Sequence, residues 1–257
     1  MTTAPPVRST STRRAVGSTV SGERSAGPTS RDRRALTVIL RRSPVILLDF
    51  DGPVCSVFAG YPAPQITDEL RALALDQVDE LPPAMSAITS PHEFLTASEV
   101  SAELARQVEA ALQTAEIKAV ESATPTPGVD AFLTACRDVG RPLAIVSNNT
   151  GASVRAYLDR VGLADLVQHI EARDPFDPGL MKPSPHLIER AAQALDVEPD
   201  ACTLIGDQPT DVQAARAIGA ASIGYANKPG KADDLAAAGA GAVVAHLDEL
   251  TEAIRAN

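Results

Sequence analysis

Hydrophobic and polar positions along this chain follow two periods that alternate. Four apolar residues stand together at Val45-Ile46-Leu47-Leu48, and short runs recur at Leu143 to Val146, Cys202 to Ile205 and Ala221 to Gly224. Uninterrupted runs of this length predict strands covered on both faces, the pattern of a parallel sheet. Between them, apolar residues return every three or four positions over 129–139, 151–161, 185–195 and 209–218, which predicts helices, with Gly162 closing the second. A shorter strand is predicted at 167–171, and residues 230–256 predict two Ala-rich helices around an edge strand at Ala242-Val243-Val244. Strands and helices in this order predict an α/β fold: a Rossmann-like parallel sheet with crossover helices.

The alternation breaks once. Residues 53–124 contain no second buried-type strand, but 66–78 and 98–123 have helical spacing, the latter with Val100, Leu104, Val108, Ala111 and Leu112 as its apolar stripe and a cap-like start at Ser98 to Ser101. Prolines punctuate this region at Leu81-Pro82-Pro83 and Thr124-Pro125-Thr126-Pro127-Gly128. We therefore expect an inserted helical subdomain at 53–124 and an α/β core made of 43–52 and 125–257.

Residues 1–42, rich in Ser, Thr, Pro and Arg, are expected to form a disordered basic tail. The tail holds nine arginines against Glu23 and Asp32, whereas the whole chain carries a net charge of −10, so the remainder is strongly acidic. That argues against nucleic-acid binding by the folded part and leaves the tail as the one place for contact with nucleic acid or anionic lipid. Its composition also resembles a transit peptide, but an extension without function, or a misassigned start of translation, is the simpler expectation. No apolar run approaches the roughly 20 residues that span a bilayer, and a cytoplasmic location is expected. With 44% hydrophobic residues, 3% aromatics and no Trp, the core should be built from Ala, Leu, Val and Ile. Cys55, Cys136 and Cys202 lack C-x-x-C spacing and are expected to be buried thiols rather than a disulfide framework or a zinc site.

Chemistry concentrates at the predicted strand ends. The first strand runs into Asp49-Phe50-Asp51-Gly52, and alternation points both carboxylates the same way at the edge where open α/β sheets bind ligands. Two like charges this close call for a cation, acid/base work or both; the plain alternative is a solvated acidic turn. The strand at 143–146 ends in Ser147-Asn148-Asn149-Thr150 before a helix, a place for an anion or for simple capping. The strand at 202–205 ends in Gly206-Asp207-Gln208-Pro209-Thr210-Asp211. Asp49 and Asp207 supply the oxygen ligands that Mg²⁺ prefers, and Asp211 adds a further carboxylate, with a helix-start acid as its plain alternative. Lys182, one of four lysines with Lys118, Lys228 and Lys231, lies in Met181-Lys182-Pro183-Ser184-Pro185, where it can contact phosphate and carboxylate.

The ordered set Asp49-Phe50-Asp51-Gly52, Ser147-Asn148, Lys182-Pro183 and Gly206-Asp207 with Asp211 resembles the four motifs of the haloacid dehalogenase superfamily, from residue 44 to about 226. The layout is similar to its phosphoglycolate phosphatase-like branch, which carries an α-helical cap after the first motif, where residues 53–124 lie. The resemblance implies a Mg²⁺-dependent phosphatase of a small phosphorylated metabolite. In it Asp49 is the nucleophile that forms an aspartyl-phosphate, and Asp51 is the general acid and base, its main-chain carbonyl also on the metal. Asp207 is a metal ligand and Asp211 binds or orients the metal. Lys182 and Ser147 hold the phosphoryl group, with Asn148 and Asn149 beside them. Pro53 departs from the family, which has a backbone N–H there, and this puts the local loop geometry in question. The second carboxylate, Asp51, disfavours a dehalogenase, and a phosphonate hydrolase would need a cap lysine, for which Lys118 alone is available. A phosphomutase on the same motifs and a non-catalytic binding module are the alternatives. In the cap, Arg71, His92 and Arg106 are candidates to read substrate, with solvated helix faces and, for His92, a cap after Pro91 as the simpler expectation. His169, His186 and His246 are expected to be structural.

Overall fold

In a computed structural model of the chain, which describes residues 1–2, 30–78 and 80–256, the strands are β1 (Val45–Leu48), β2 (Cys55–Ser56), β3 (Thr124–Pro125), β4 (Leu143–Ser147), β5 (His169–Ala172), β6 (Cys202–Gly206), β7 (Ala221–Tyr225) and β8 (Ala242–Val244). Six of them form a parallel sheet in the order β5-β4-β1-β6-β7-β8. From β1 the chain moves out to β5 and then returns to the far side of β1, so β1 lies at the topological switch, where a crevice opens at the carboxyl ends. Leu48 pairs with Ile145 on one side and Ile205 on the other. This register brings the residues after β1 level with the ends of β4 and β6.

The uninterrupted apolar run of β1 is explained by burial on both faces. Ile46 and Leu48 join a core with Phe132, Tyr157 and Leu250, while Val45 and Leu47 join a second with Leu187, Ile188 and Ala215. The helices that cover these faces are α6 (Val129–Asp138), α7 (Gly151–Val161), α8 (His186–Ala194), α9 (Pro209–Ala217), α10 (Lys231–Ala238) and α11 (Leu247–Arg255). All three cysteines are buried free thiols inside these two cores. No helix among the described residues is long and apolar enough to cross a membrane.

The expected disorder of 1–42 is corrected at its end, while residues 3–29 lie outside those described. Ser30–Arg42 forms α1, which packs against α11 and beside β8. Leu36 and Leu40, one helical turn apart, are 1% and 0% exposed in the main core. Arg141 donates to the Leu40 carbonyl at 2.7 Å, which satisfies an otherwise orphaned carbonyl in the last helical turn. The apolar stretch Ala35 to Leu40 carried that signal, but the arginines on either side outweighed it.

Between β2 and β3, which pair antiparallel as the two connections to the core, lie α2 (Ala63–Leu75), α3 (Pro83–Ser86), α4 (Pro91–Ala97) and α5 (Ala102–Ser122). The long helix starts later than the spacing predicts. Ser101 is its N-cap, accepting from Leu104 N, with a short 3₁₀ turn before it. Val100, predicted as part of the apolar stripe, is therefore outside the helix and 67% exposed.

The cap meets the core through charge as well as apolar contact. Glu109 and Glu116, seven residues apart and hence on one face of α5, are buried within its apolar stripe. Arg173, just past β5, donates through Nε to Glu109 Oε2 at 3.0 Å and through Nη1 to Glu116 Oε1 at 2.8 Å. The same Nη1 reaches the Asn148 carbonyl at 2.5 Å. Glu116 also accepts from Thr150 N at 2.8 Å and Asn149 Nδ2 at 3.3 Å. Although burial works against its charge, Arg173 and His92 bring the Glu116 pKa down to about 2.

Two stability predictions follow from this packing. Leu40→Ala, by emptying a fully buried site, should cost about 2–5 kcal/mol in urea unfolding. Arg173→Met should cost about 3–5 kcal/mol because two buried carboxylates lose their counter-charge. Adding Glu109→Gln and Glu116→Gln should recover much of that loss in the same measurement.

Candidate active site

The three central strands deliver their terminal residues to one cavity of 930 Å³ between sheet edge and cap. Asp49, Asp51, Asn148, Asn149, Lys182, Asp207 and Asp211 all line it. At its floor, carboxylate oxygens of Asp49, Asp207 and Asp211 lie within 4.8 Å of one another. Two glycines make this crowding possible. A Cβ on Gly52, whose φ is +117°, would fall 2.5 Å from Asp207 Cγ, and one on Gly206 would fall 2.3 Å from Asp211 Cγ.

Lys182 holds the cluster together. Its buried Nζ lies 2.7 Å from Asp49 Oδ1, 2.7 Å from Asp211 Oδ1 and 3.0 Å from the Val146 carbonyl, which engages all three ammonium donors. Burial works to lower its pKa, but Asp211 and Asp49 outweigh this and raise it above the ordinary lysine value. Asn148 places the lysine: its Nδ2 donates to the Lys182 carbonyl at 3.1 Å and its Oδ1 accepts from Lys182 N at 2.9 Å. Asp211 serves as a helix-start acid, its Oδ2 accepting from Gln208 N at 2.9 Å to cap α9, while its Oδ1 meets Lys182.

Burial pushes the Asp49 pKa well above the usual carboxylate range, opposed by Lys182 and reinforced by Asp211 and Asp207. Burial also raises Asp51, whose Oδ1 accepts from Val57 N at 2.9 Å, and Asp207. Asp207 is paired through Oδ2 with Lys231 and with Asn227 Nδ2 at 3.3 Å. Its Oδ1 is buried with no partner among the described residues. An unpartnered carboxylate oxygen beside two further carboxylates fits a small divalent cation bound by oxygen ligands.

The loop after β4 departs from expectation. Ser147 is fully buried and does not line the cavity; its Oγ accepts from Asn149 N at 3.0 Å, so it orders the loop instead of facing a ligand. An anion does sit at the start of α7, as the sequence allowed, but it is the carboxylate of Glu116. Of the cap candidates, only His92 reaches the cavity. Arg71 turns to Asp68 and the Ile88 carbonyl, Arg106 to Glu103, and Lys118 lies over the Tyr61 ring at 4.2 Å. Gly52, next to the anomalous Pro53, is held by Thr126 Oγ1, which donates to its carbonyl at 2.5 Å.

Sequence reasoning missed Lys231, Glu109, Glu116 and Arg173. The scarcity of lysine was a signal for the first, and two acids in an apolar stripe were the signal for the next two. Nothing local marks Arg173 in an arginine-rich chain.

The geometry agrees with comparisons to known proteins. A haloacid dehalogenase-like hydrolase family model matches residues 44–219. Phosphoglycolate phosphatase of Cupriavidus necator is 38% identical over 128 residues, 48% of this chain and 53% of that protein. The chain spans about half the length of the curated relatives it matches. Among solved structures, a predicted phosphatase from Clostridium acetobutylicum aligns with a TM-score of 0.65 at 22% identity, over 83% of this chain and 98% of that one. A family hydrolase from Deinococcus radiodurans with bound phosphate and sodium aligns at 0.55 and 28% identity, over 82% and 96%. A motif order read from strand ends, a sheet that gathers those ends around one lysine, and a family match over most of the core lead to one conclusion: the chain belongs to the haloacid dehalogenase-like hydrolases.

Proposed function

We propose that the chain is a Mg²⁺-dependent phosphatase that hydrolyses a small phosphorylated metabolite through an aspartyl-phosphate on Asp49. The observation that carries this reading is the lysine-held trio Asp49, Asp207 and Asp211 with one buried carboxylate oxygen left unpartnered. Asp49, Asp207 and Asp211 are the side chains that would hold the ion, with the Asp51 carbonyl as a further candidate. When bound, Mg²⁺ would supply positive charge to balance the phosphoryl oxygens against the carboxylates.

The protein's own groups then divide the work. Asp49 Oδ1 is held by Lys182, which leaves Oδ2 to attack phosphorus; the P–O bond to the substrate breaks and Asp51 gives its proton to the departing alkoxide. A raised pKa suits Asp51 to carry that proton. In the second half, water attacks the phosphorus of the aspartyl-phosphate, Asp51 takes the water's proton, and the Asp49 carboxylate and inorganic phosphate are released. Lys182 stays protonated and compensates the charge on Asp49 throughout. Asn148 acts through Lys182, and Ser147 through the loop, while Asn149 lines the cavity with its amide donating to Glu116. The cap excludes water while the site is closed.

The relatives' names make 2-phosphoglycolate one substrate to test. A location in the cytoplasm belongs to the same reading.

Two measurements check it. p-Nitrophenyl phosphate should be turned over with Mg²⁺ and not with EDTA, and Asp49→Asn should lower kcat by more than about 10³-fold. No turnover by the wild type on a broad phosphate panel would favour a binding module, and interconversion of sugar phosphates without phosphate release would favour a mutase. Mg²⁺ at about 100 times its Kd should raise the Tm by about 5 °C or more, and Asp207→Asn should abolish most of that rise.

A further inference from the structure

Resting on the phosphatase reading, we infer that the substrate carries one phosphoryl group on an uncharged, hydroxyl-bearing body, and that the cap wall around His92 and Glu93 selects against a second anionic group. Apart from Gln208 and Thr210, both uncharged, the polar groups of the core wall are already engaged. Lys182 is engaged by Asp49, Asp211 and Val146, Asn148 is spent on the Lys182 main chain, and the Asn149 amide donates to Glu116. Recognition beyond the phosphoryl group therefore falls to the cap together with the neutral Gln208 and Thr210.

The cap presents an acid, an imidazole and hydroxyls there, of which Ser90 caps Glu93 N and Thr96 donates to the His92 carbonyl. Thr89, Ser90 and Thr96 line the cavity with His92 and Glu93, and among the described residues no cap arginine or lysine does. A carboxylate or second phosphate on the substrate would approach Glu93 and Asp51 with no guanidinium or ammonium to compensate it, and unpaired like charges are a means of rejection. A hydroxyl meets the same wall without that penalty. Glu116 is ionised and can only accept, so the hydrogen of its 3.0 Å bond to His92 belongs to Nε2. The ring's Nδ1, which has no partner among the described residues, remains for a ligand. A hydroxyl both donates and accepts, so it can pair with Nδ1 in either charge state of the ring, and it can donate to Glu93. At 930 Å³ the cavity also has room for a body larger than a two-carbon acid.

The test compares kcat/KM at saturating Mg²⁺ for glycerol 3-phosphate and ribose 5-phosphate with that for 2-phosphoglycolate and fructose 1,6-bisphosphate, with p-nitrophenyl phosphate as reference. The neutral-bodied monophosphates should be favoured by about tenfold or more. Glu93→Arg, at an exposed position that folding tolerates, should shift the ratio of 2-phosphoglycolate to glycerol 3-phosphate several-fold toward the acid, about the scale of one exposed charge pair. If p-nitrophenyl phosphate is hydrolysed but the carboxylated or bisphosphorylated compounds are preferred, this inference is overturned and the phosphatase reading stands. An unmoved ratio in the Glu93→Arg variant overturns the assignment to the cap wall. If no phosphomonoester is hydrolysed, both readings fall together.

Discussion

One ammonium group among three buried carboxylates is the constraint on which the rest of this structure depends. Asp49, Asp207 and Asp211 converge from two neighbouring strand ends to within 4.8 Å, a spacing at which like charges in a low-dielectric setting repel strongly. Lys182 bridges two of them and is itself set by the Asn148 amide, which grips its main chain on both sides. Two glycines give the carboxylates room, and Lys231 offsets Asp207 from the other side. The positive charge the protein supplies is smaller than the negative charge it gathers, which fits the cation proposed for the cluster.

The cap is tied to this centre by a second charged cluster. Burying Glu109, Glu116 and Arg173 costs desolvation energy that apolar residues of similar size would avoid. What the cluster supplies is position. Glu116 reaches from the cap to the N–H of Thr150, the N-cap of α7, Arg173 reaches back to the Asn148 carbonyl, and His92 is held against the cavity by the same carboxylate. A shift of α5 against the core would therefore disturb the loop that positions Lys182. The connection through β2 has a similar effect, because Val57 N binds Asp51 directly after the chain enters the cap.

The two walls of the cavity differ in kind. The sheet edge carries the charged cluster with Gln208 and Thr210 beside it, whereas the cap carries hydroxyls, one imidazole and one acid. In the proposed reading the sheet edge would carry the chemistry and the cap would take part in choosing the substrate.

Much of this was legible in the residues themselves. Strand β1 reads as a doubly covered strand because Val45 through Leu48 are all apolar, and a period of two then obliges Asp49 and Asp51 to face the same way. Local rules also fixed the order of strand ends, and so the set of side chains that meet. The sequence could not reveal which neighbours satisfy those side chains, because that depends on contacts between distant segments. Ser147 looked like a ligand contact until Asn149 took its oxygen, and the anion at the start of α7 proved to be Glu116, 34 residues before Thr150. The α1 helix escaped a compositional reading because its two buried leucines gain stability only from a core that α11 completes. Periodicity determines which face an element presents; only the folded chain decides what that face meets, because burial and charge compensation are properties of pairs that the sequence separates.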